Sequence, residues 1–305
     1  MSDTILAVIE LDRFPEAVAS RAAWIARRFG CDLELVLSDP TLAMLHNNFI
    51  VSNEAKTIAE NMHGAQHQIL DELAQPISGQ GVDITTVILD DSPASDAIVA
   101  RALEVEPRFV VKGTEHHSPA ERARFTYTDW RLIRKLDYPL WLVKPKEWKD
   151  KPVIIAAVDP THKGDREGVL DQTIVDTGKE LATKCNGTLQ LLHTYVRLVE
   201  IGRHAMFAFK PVKLPIDELE DNIRNLHREK LDALAAANDI PVDAVHQLPG
   251  RAHEILPMFA RAQGADLVIM GALARSGLKS RVLGSTAAKV LDHLPCDVLI
   301  EQRAR

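Results

Sequence analysis

The sequence repeats one order of strand and helix patterns twice, and this repeat constrains the fold more than any other feature of the chain. Residues 5–10 read ILAVIE and residues 154–159 read IIAAVD. Each is a short aliphatic run that ends in a carboxylate, as is typical of parallel strands buried on both faces. Each is followed by a polar turn and then by a helical pattern, over 15–29 in the first half and about 167–184 in the second.

The same order of elements continues through both halves. In the first half the remaining predicted strands are 31–38, 82–89, 109–113 and 140–144, and the helices are 53–76, 93–105 and about 127–136. In the second half the corresponding strands are 188–193, 242–248, 267–271 and 298–301, and the helices are about 216–238, 251–263 and 285–294. Because strand and helix alternate about five times in each half, we predict two tandem α/β domains, each a five-stranded parallel sheet with helices on both faces.

The charged stretch 144–152, KPKEWKDKP, carries two prolines and is the predicted linker. It divides the chain into an N-terminal domain, 1–146, and a C-terminal domain, 151–305. The length of 305 residues agrees with two domains of roughly 150 residues. A single large α/β domain is the alternative, and it is less favoured because the two halves match in order as well as in type.

Composition excludes several classes of protein. The net charge of -7 disfavours generic binding of nucleic acid, which needs a basic surface. Three widely spaced cysteines without a CxxC pair indicate neither a disulfide framework nor a zinc ribbon, and they fit a reducing cytoplasm. No apolar run approaches the roughly 20 residues of a membrane span, and the N-terminus lacks the basic region of a signal peptide. We therefore predict a cytoplasmic protein without nucleic-acid or membrane partners.

The second half contains a candidate phosphate site. Ligands of open α/β sheets bind beyond the carboxyl ends of the strands, and Gly271 stands at such an end. The loop that follows reaches Gly284-Ser285-Thr286 at the start of a helix, where free backbone N–H groups and the helix dipole favour an anion. Three cations of the same loop can offset phosphate charge: Arg275, Lys279 and Arg281. The alternative is a glycine turn with an ordinary Ser/Thr helix cap.

This loop resembles the nucleotide loop of the universal stress protein family, written G-x2-G-x9-G-[S/T]. The first glycine is Gly271, the third is Gly284 and the following residue is Ser285, whereas Ala274 stands at the position of the second glycine.

The resemblance extends to both halves of the chain. The aspartate Asp159 at the end of a strand matches the family, as does the segment 264–272, GADLVIMGA. The segments 125–135 and 140–144 resemble tandem members of the family.

The resemblance implies Rossmann-like domains, of the adenine nucleotide alpha hydrolase-like kind, and a bound ATP or related adenine nucleotide, with or without Mg²⁺. The implied ligand-binding residues are Asp159 near the adenosine, the backbone of Thr194 at the adenine, and Gly271, Gly284, Ser285 and Thr286 at the phosphates. Ala274 lies in the same loop. If position 274 needs positive φ, alanine costs roughly 1 kcal/mol relative to glycine, which weakens binding or reshapes the loop without abolishing it.

The first half departs further from the family pattern. A spacing of 158 residues aligns Gly113 with Gly271, but His116, Thr126 and Tyr127 then occupy the positions of Ala274, Gly284 and Ser285. Glu10 replaces the strand-end aspartate. We predict that this half does not bind ATP in the family's way and that it holds another ligand or acts as scaffold and dimer mate. A metal site at His116 and His117, with Glu115 as a third ligand, is disfavoured because no fourth ligand is nearby.

The resulting prediction is a stress-response protein that acts as a nucleotide-binding or sensor module. We assign no catalytic residue and no metal ligand, because no positioned base or nucleophile is evident near the expected γ-phosphate. Two alternatives stay open: a slow ATPase or nucleotidyl-transferring enzyme, and a carrier of an apolar ligand that uses the apolar loop 42–51 of the first half. A similar apolar loop, 204–215, lies in the second. In the family two domains pair through their last strands, which implies antiparallel pairing of 140–144 with 298–301. A homodimer is left open.

Overall fold

The computed structural model describes residues 4–38, 53–79, 81–90, 93–114, 128–161, 169–197, 216–271 and 285–302, and only the backbone at 53–55, 216 and 285–286. The chain forms two compact units. Of the described residues, those up to Glu147 and residues 296–302 belong to the first unit. Those from Trp148 to Gly271 and from Ser285 to Pro295 belong to the second.

The described strands and α-helices alternate along the chain, except that β6 follows β5 directly. In order they are β1 (Thr4–Ile9), α1 (Pro15–Phe29), β2 (Asp32–Ser38), α2 (Asn53–Ala74), β3 (Ile84–Leu89), α3 (Ala94–Val105), β4 (Phe109–Gly113), α4 (Thr128–Lys135), β5 (Leu140–Val143), β6 (Val153–Ala157), α5 (Val169–Cys185), β7 (Thr188–Tyr195), α6 (Ile216–Ala237), β8 (Val245–Pro249), α7 (Ala252–Gln263), β9 (Leu267–Gly271), α8 (Ser285–His293) and β10 (Asp297–Glu301). The predicted α/β fold is confirmed, and the predicted elements agree with these bounds to within a few residues.

The first unit is built on a sheet with the strand order β3-β2-β1-β4-β5-β10. The first five strands are parallel, and β10 is antiparallel to β5. β1 lies between β2 and β4, and its residues Ile5 to Ile9 are completely buried. Such burial on both faces explains why this strand is aliphatic throughout rather than alternating.

Helix α1 packs on this sheet through small side chains. Its buried face includes Ala19, Ala22, Ala23 and Ala26, which stand at positions i, i+3, i+4 and i+7 of one helix face. The helix ends at Gly30, whose φ of 67° is left-handed and whose N–H donates to the carbonyl of Ala26. A glycine at this position ends the helix without the steric cost that a Cβ would add.

The last strand, β10, is fixed to the first unit by Asp297. This carboxylate is 1 % exposed and accepts hydrogen bonds from the Trp141 indole at 3.1 Å and from the Lys144 backbone N–H at 2.9 Å. The Arg21 guanidinium lies 2.9 Å from it. A buried carboxylate needs such donors, because its desolvation is otherwise uncompensated.

The second unit contains a parallel sheet with the order β9-β6-β7-β8 among its described strands. The strand predicted at 298–301 is present as β10. It pairs antiparallel with β5 through Val298 and Leu142, Leu299 and Trp141, and Ile300 and Leu140, and it counts among the residues of the first unit. Along the described segments, no helix is long and apolar enough to cross a membrane.

Candidate functional site

The carboxyl edge of the second unit's sheet brings three predicted residues together. Asp159 follows β6, Thr194 lies near the end of β7, and Gly271 is the last residue of β9. Because β6 is paired in parallel with both β7 and β9, the three positions lie at the same edge. This edge is where open α/β sheets bind ligands.

The predicted phosphate-binding residues are only partly described. Helix α8 begins at Ser285 and includes Thr286, so both residues stand in its first turn. Ala274 and Gly284 lie outside the described residues, as do the loop cations Arg275, Lys279 and Arg281. Backbone N–H groups of the first turn of a helix have no partner within the helix.

Asp159 is oriented by two neighbours. Its backbone N–H donates to the buried carboxylate of Asp171 on α5 at 3.1 Å. Its own carboxylate accepts a hydrogen bond from the Thr161 hydroxyl at 2.9 Å. The Asp159 side chain is nevertheless 45 % exposed. A carboxylate held in this way is an acceptor that a ligand can reach.

A histidine pair adjoins Asp159. His193 on β7 is 1 % exposed, and its Nδ1 lies 3.0 Å from the carbonyl oxygen of Val158. Its Nε2 lies 2.7 Å from Nδ1 of His227 on α6, and the two rings are stacked with centroids 5.0 Å apart. Nδ1 of His193 is also 3.9 Å from the Asp159 carboxylate. The pair therefore joins β7 and α6 beside the candidate site.

Sequence reasoning missed the role of this pair. In the sequence, His193 is the last residue of the predicted strand 188–193, and no motif marks His227. A histidine at the carboxyl end of a strand was a usable signal for the first. His227 lies in the middle of a long polar helix, and only the tertiary structure brings it to the site.

The electrostatic surroundings of His227 favour its neutral form. Burial lowers the pKa of His227, and the neighbouring His193 lowers it further, whereas Asp159 acts in the opposite direction. Burial also lowers the pKa of His246 on β8. At neutral pH both imidazoles are therefore expected to be uncharged.

These shifts predict that mild acid destabilises the second unit. Because the folded protein holds both pKa values below the unfolded value of about 6.5, their stabilising effect is complete above pH 6.5 and is lost as the pH falls below it. Urea denaturation of the full chain between pH 7.5 and 5.5, followed by circular dichroism, measures the loss. We expect the variant with His227→Gln and His246→Gln to lose less stability than the wild type.

Asn225→Gln, an exposed uncharged substitution on α6, is the matched control and should leave the pH dependence as in the wild type. An equal loss of stability in the wild type and in the double variant would contradict this assignment.

The corresponding edge of the first unit is occupied by a charged cluster. Lys112 on β4 is completely buried, and its Nζ lies 2.5 Å from carboxylate oxygens of Glu10 and Asp129. Arg13 contacts the same two carboxylates at 3.3 and 3.5 Å. The Thr114 hydroxyl donates to Asp129 at 2.9 Å. We call Glu10, Arg13, Lys112, Thr114 and Asp129 the ion cluster.

The ion cluster places a carboxylate in the first turn of α4, because Asp129 is the second residue of that helix. The helix dipole favours negative charge at this position. With the 158-residue spacing, Asp129 corresponds to Ala287 of α8 and Lys112 to Met270. The first unit thus carries an internal anion at a helix N-terminus where the second unit has an uncharged residue.

Gly113, at the end of β4, is required by packing. A Cβ on Gly113 would lie 2.3 Å from the backbone oxygen of Arg13, and one on Gly271 would lie 2.7 Å from a methyl group of Leu170. The strand end at Gly113 therefore needs glycine whether or not a ligand binds, whereas at Gly271 a shift of the Leu170 side chain can make room for a Cβ.

Several sequence predictions lie outside the described residues: Glu115, His116, His117, Thr126, Tyr127 and the apolar loops 42–51 and 204–215. In the segments that the structure does describe, no group of three or more histidine, cysteine, aspartate or glutamate side chains is placed to hold a metal ion.

Comparison with known proteins gives a consistent result. The chain matches the universal stress protein family, Usp, over residues 1–144 and 154–301. It is 25% identical to universal stress protein E of Escherichia coli K12 over 307 residues, which cover 98% of this chain and 94% of that relative.

Solved structures also match. A functionally unknown protein from Pseudomonas aeruginosa PAO1 has a TM-score of 0.70 and 23% identity, with 99% of this chain and 93% of that chain covered. A universal stress protein solved in complex with cAMP covers 50% of this chain and 98% of its own, with 21% identity and a TM-score of 0.29.

Proposed function

The chain belongs to the universal stress protein family, and from this premise we propose that its second unit binds ATP or a related adenine nucleotide and acts as a binding or sensor module in a stress response. The observation that carries the proposal is the difference between the two carboxyl edges. The edge of the second unit presents Asp159, Thr194 and Gly271, and α8 of the same unit begins at Ser285. The edge of the first unit is closed by the ion cluster.

Each proposed ligand-binding residue contacts one part of the nucleotide. The exposed carboxylate of Asp159 accepts a hydrogen bond from the adenosine, and Thr161 holds it in place. The backbone of Thr194 meets the adenine. The phosphates lie against Gly271, Ala274, Gly284, Ser285 and Thr286, where N–H groups of α8 and its dipole favour an anion. Mg²⁺, if the nucleotide brings it, is held by the phosphates.

The same proposal covers the organisation of the chain. The two family matches, 1–144 and 154–301, support domains at 1–146 and 151–305. The three cysteines are buried free thiols, which fits a reducing cytoplasm. We assign no catalytic residue. Steady multiple-turnover release of phosphate that Ser285→Ala abolishes would favour the ATPase alternative.

Calorimetry of the full chain with ATP, ADP and AMP tests the site. We expect one nucleotide per chain and an affinity about 10–100-fold lower in Asp159→Asn, because a hydrogen bond to a charged group is worth about 1.5–3 kcal/mol. Gly284→Val should weaken the binding of ATP more than that of AMP.

Asp176→Asn is the matched control, since Asp176 is exposed on α5 of the same unit and accepts a hydrogen bond from Gln172 there. Two nucleotides per chain would contradict the proposed difference between the units. Tight binding that neither Asp159→Asn nor Gly284→Val alters would overturn the site assignment.

A further inference from the structure

The histidine pair adds a recognition element to the proposed site, and the inference drawn from it rests on the proposed function. We propose that His227 is a specificity-determining residue that presents Nε2 as a hydrogen-bond acceptor to the adenosine part of the ligand. His193 is the positioning residue that fixes the tautomer of His227. Uptake of one proton by the pair turns this acceptor into a donor and weakens ligand binding.

The first step of the argument is the tautomer of His193. A backbone carbonyl oxygen only accepts hydrogen bonds, and Nδ1 of His193 lies 3.0 Å from that of Val158. Nδ1 of His193 therefore carries the hydrogen, and in the neutral ring Nε2 carries a lone pair.

The second step transfers this constraint to His227. Nε2 of His193 and Nδ1 of His227 are 2.7 Å apart, which requires one hydrogen between the two nitrogens. Because Nε2 of His193 holds the lone pair, Nδ1 of His227 donates. A neutral His227 then has its own lone pair on Nε2. One carbonyl oxygen thus sets the hydrogen positions of two rings.

The third step concerns which group the lone pair on Nε2 of His227 can bind. Within the described residues, both polar contacts of His227 use Nδ1, to His193 and, at 3.5 Å, to the Thr161 hydroxyl. His227 is only half-buried, so Nε2 is left for a ligand or water. The neighbouring Asp159 is also an acceptor. A ligand group that meets both must donate hydrogen bonds, as ribose hydroxyls and the adenine amino group do.

The fourth step is the effect of one added proton. We call the chain of hydrogen bonds from the Val158 carbonyl through His193 to His227 the relay. Within the relay, the lone pair on Nε2 of His227 is not used for a hydrogen bond. Whichever ring bears the added charge, Nε2 of His227 therefore gains a hydrogen. A ligand donor at that position then faces another donor.

The surrounding charges determine whether the histidine pair is neutral or protonated at a given pH. The carboxylate of Asp159 favours the charged pair, whereas burial and the mutual repulsion of the two rings lower the pKa of His227. The carboxylate of Asp171 accepts from the Asp159 backbone, and the Tyr195 ring lies 5.6 Å from the His227 ring. On α6 itself the charged residues within one turn of His227 in the sequence are Arg224, Arg228, Glu229 and Lys230. The neutral, acceptor form is therefore the form at neutral pH.

The experiment is ¹⁵N NMR of the histidine-labelled full chain, first free and then with ATP. In the free protein at pH 7.5 we expect His227 to be protonated on Nδ1 and unprotonated on Nε2, and His193→Gln to remove this preference. Saturation with ATP should move the titration midpoint of His227 to lower pH. An Nε2–H form of His227 in the free wild type, or a midpoint that bound ATP leaves unchanged, overturns the proposal.

Calorimetry at pH 6 in buffers of different ionisation heat supplies the second readout. We expect proton release on binding ATP, and in His227→Phe, which keeps a stacking ring without nitrogens, a loss of this release and about tenfold weaker binding. His246→Gln is the matched control and should retain both. Unchanged proton release in His227→Phe overturns the proposal. Binding of the 2′-deoxy and 3′-deoxy analogues of ATP, which each lack one ribose hydroxyl, is compared with binding of the 6-oxo analogue, which lacks the adenine amino group. The analogue that loses affinity identifies the group that donates to His227.

Two failures can be told apart. If no adenine nucleotide binds, the proposed function fails and the ligand part of this inference fails with it. The NMR spectrum of the free protein still confirms or overturns the relay between Val158, His193 and His227.

Discussion

Replacement of Lys112 by methionine should lower the unfolding free energy of the first unit by about 3–5 kcal/mol, which is the usual cost of removing one partner from a buried ion pair. The side chain of Lys112 is completely buried, and its ammonium group lies between the carboxylates of Glu10 and Asp129. Methionine has a similar volume and is the residue at the equivalent position of the second unit, Met270. The expected loss therefore reflects charge rather than a cavity.

The double variant Lys112→Met with Asp129→Ala tests this explanation. It gives the first unit the residue pair of the second, Met270 and Ala287, and it removes a buried carboxylate that the single variant deprives of the Lys112 ammonium group. We expect the double variant to be more stable than Lys112→Met alone. Urea denaturation followed by the fluorescence of the buried Trp130 and Trp141 measures both.

Lys135→Met is the control for this pair of variants. Lys135 and Asp96 are 43 and 48 % exposed, and exposed ion pairs are worth about 0–1 kcal/mol. If Lys112→Met cost no more than Lys135→Met, the ion cluster would not stabilise the first unit as proposed.

The second large effect is expected at Asp297. Asp297→Ala leaves the Trp141 indole, the Lys144 N–H and the Arg21 guanidinium without their shared acceptor. Loss of this buried carboxylate should destabilise the first unit by about 3–5 kcal/mol. Asp297→Asn keeps the volume and one acceptor oxygen, so its effect should be smaller.

Urea denaturation followed by tryptophan fluorescence measures the unfolding free energy of the Asp297 variants. Amide hydrogen exchange shows which strands lose stability. Protection should fall in β5 and β10 in Asp297→Ala. Asp221→Ala, which removes a carboxylate that is 58 % exposed, should change the stability by less than about 1 kcal/mol. Undiminished protection of β5 in Asp297→Ala would contradict the anchoring role.

Elements with a local signal could be predicted from the sequence. The aliphatic runs at 5–10 and 154–159 indicated buried parallel strands, and both are found there. The position of Asp159 after a strand is likewise confirmed, whereas its role at a ligand is implied by the family resemblance and stays a prediction. The strand predictions succeed because burial on both faces of a sheet imposes a composition that short windows reveal.

Features that depend on distant partners could not be predicted in this way. Lys112 interrupts an apolar strand, and nothing local shows that Asp129 lies 2.5 Å away. His227 is one polar residue of a polar helix until α6 packs against β7. Charge pairing and tautomers depend on differences of a few tenths of an ångström in the distances between atoms, and those atoms belong to segments far apart in sequence.

The antiparallel pairing of β5 with β10 has a consequence for synthesis on the ribosome. Trp141 and Asp297, which are hydrogen-bonded, are 156 residues apart. At about 5–20 residues per second, translation needs roughly 8–30 s to cover that distance. During this interval the nascent first unit presents the N–H and C=O groups on the β10 side of β5 without their strand partner, and such an edge can pair with other chains. We therefore expect the emerging polypeptide to be most prone to aggregation, and most dependent on chaperones, before β10 leaves the exit tunnel.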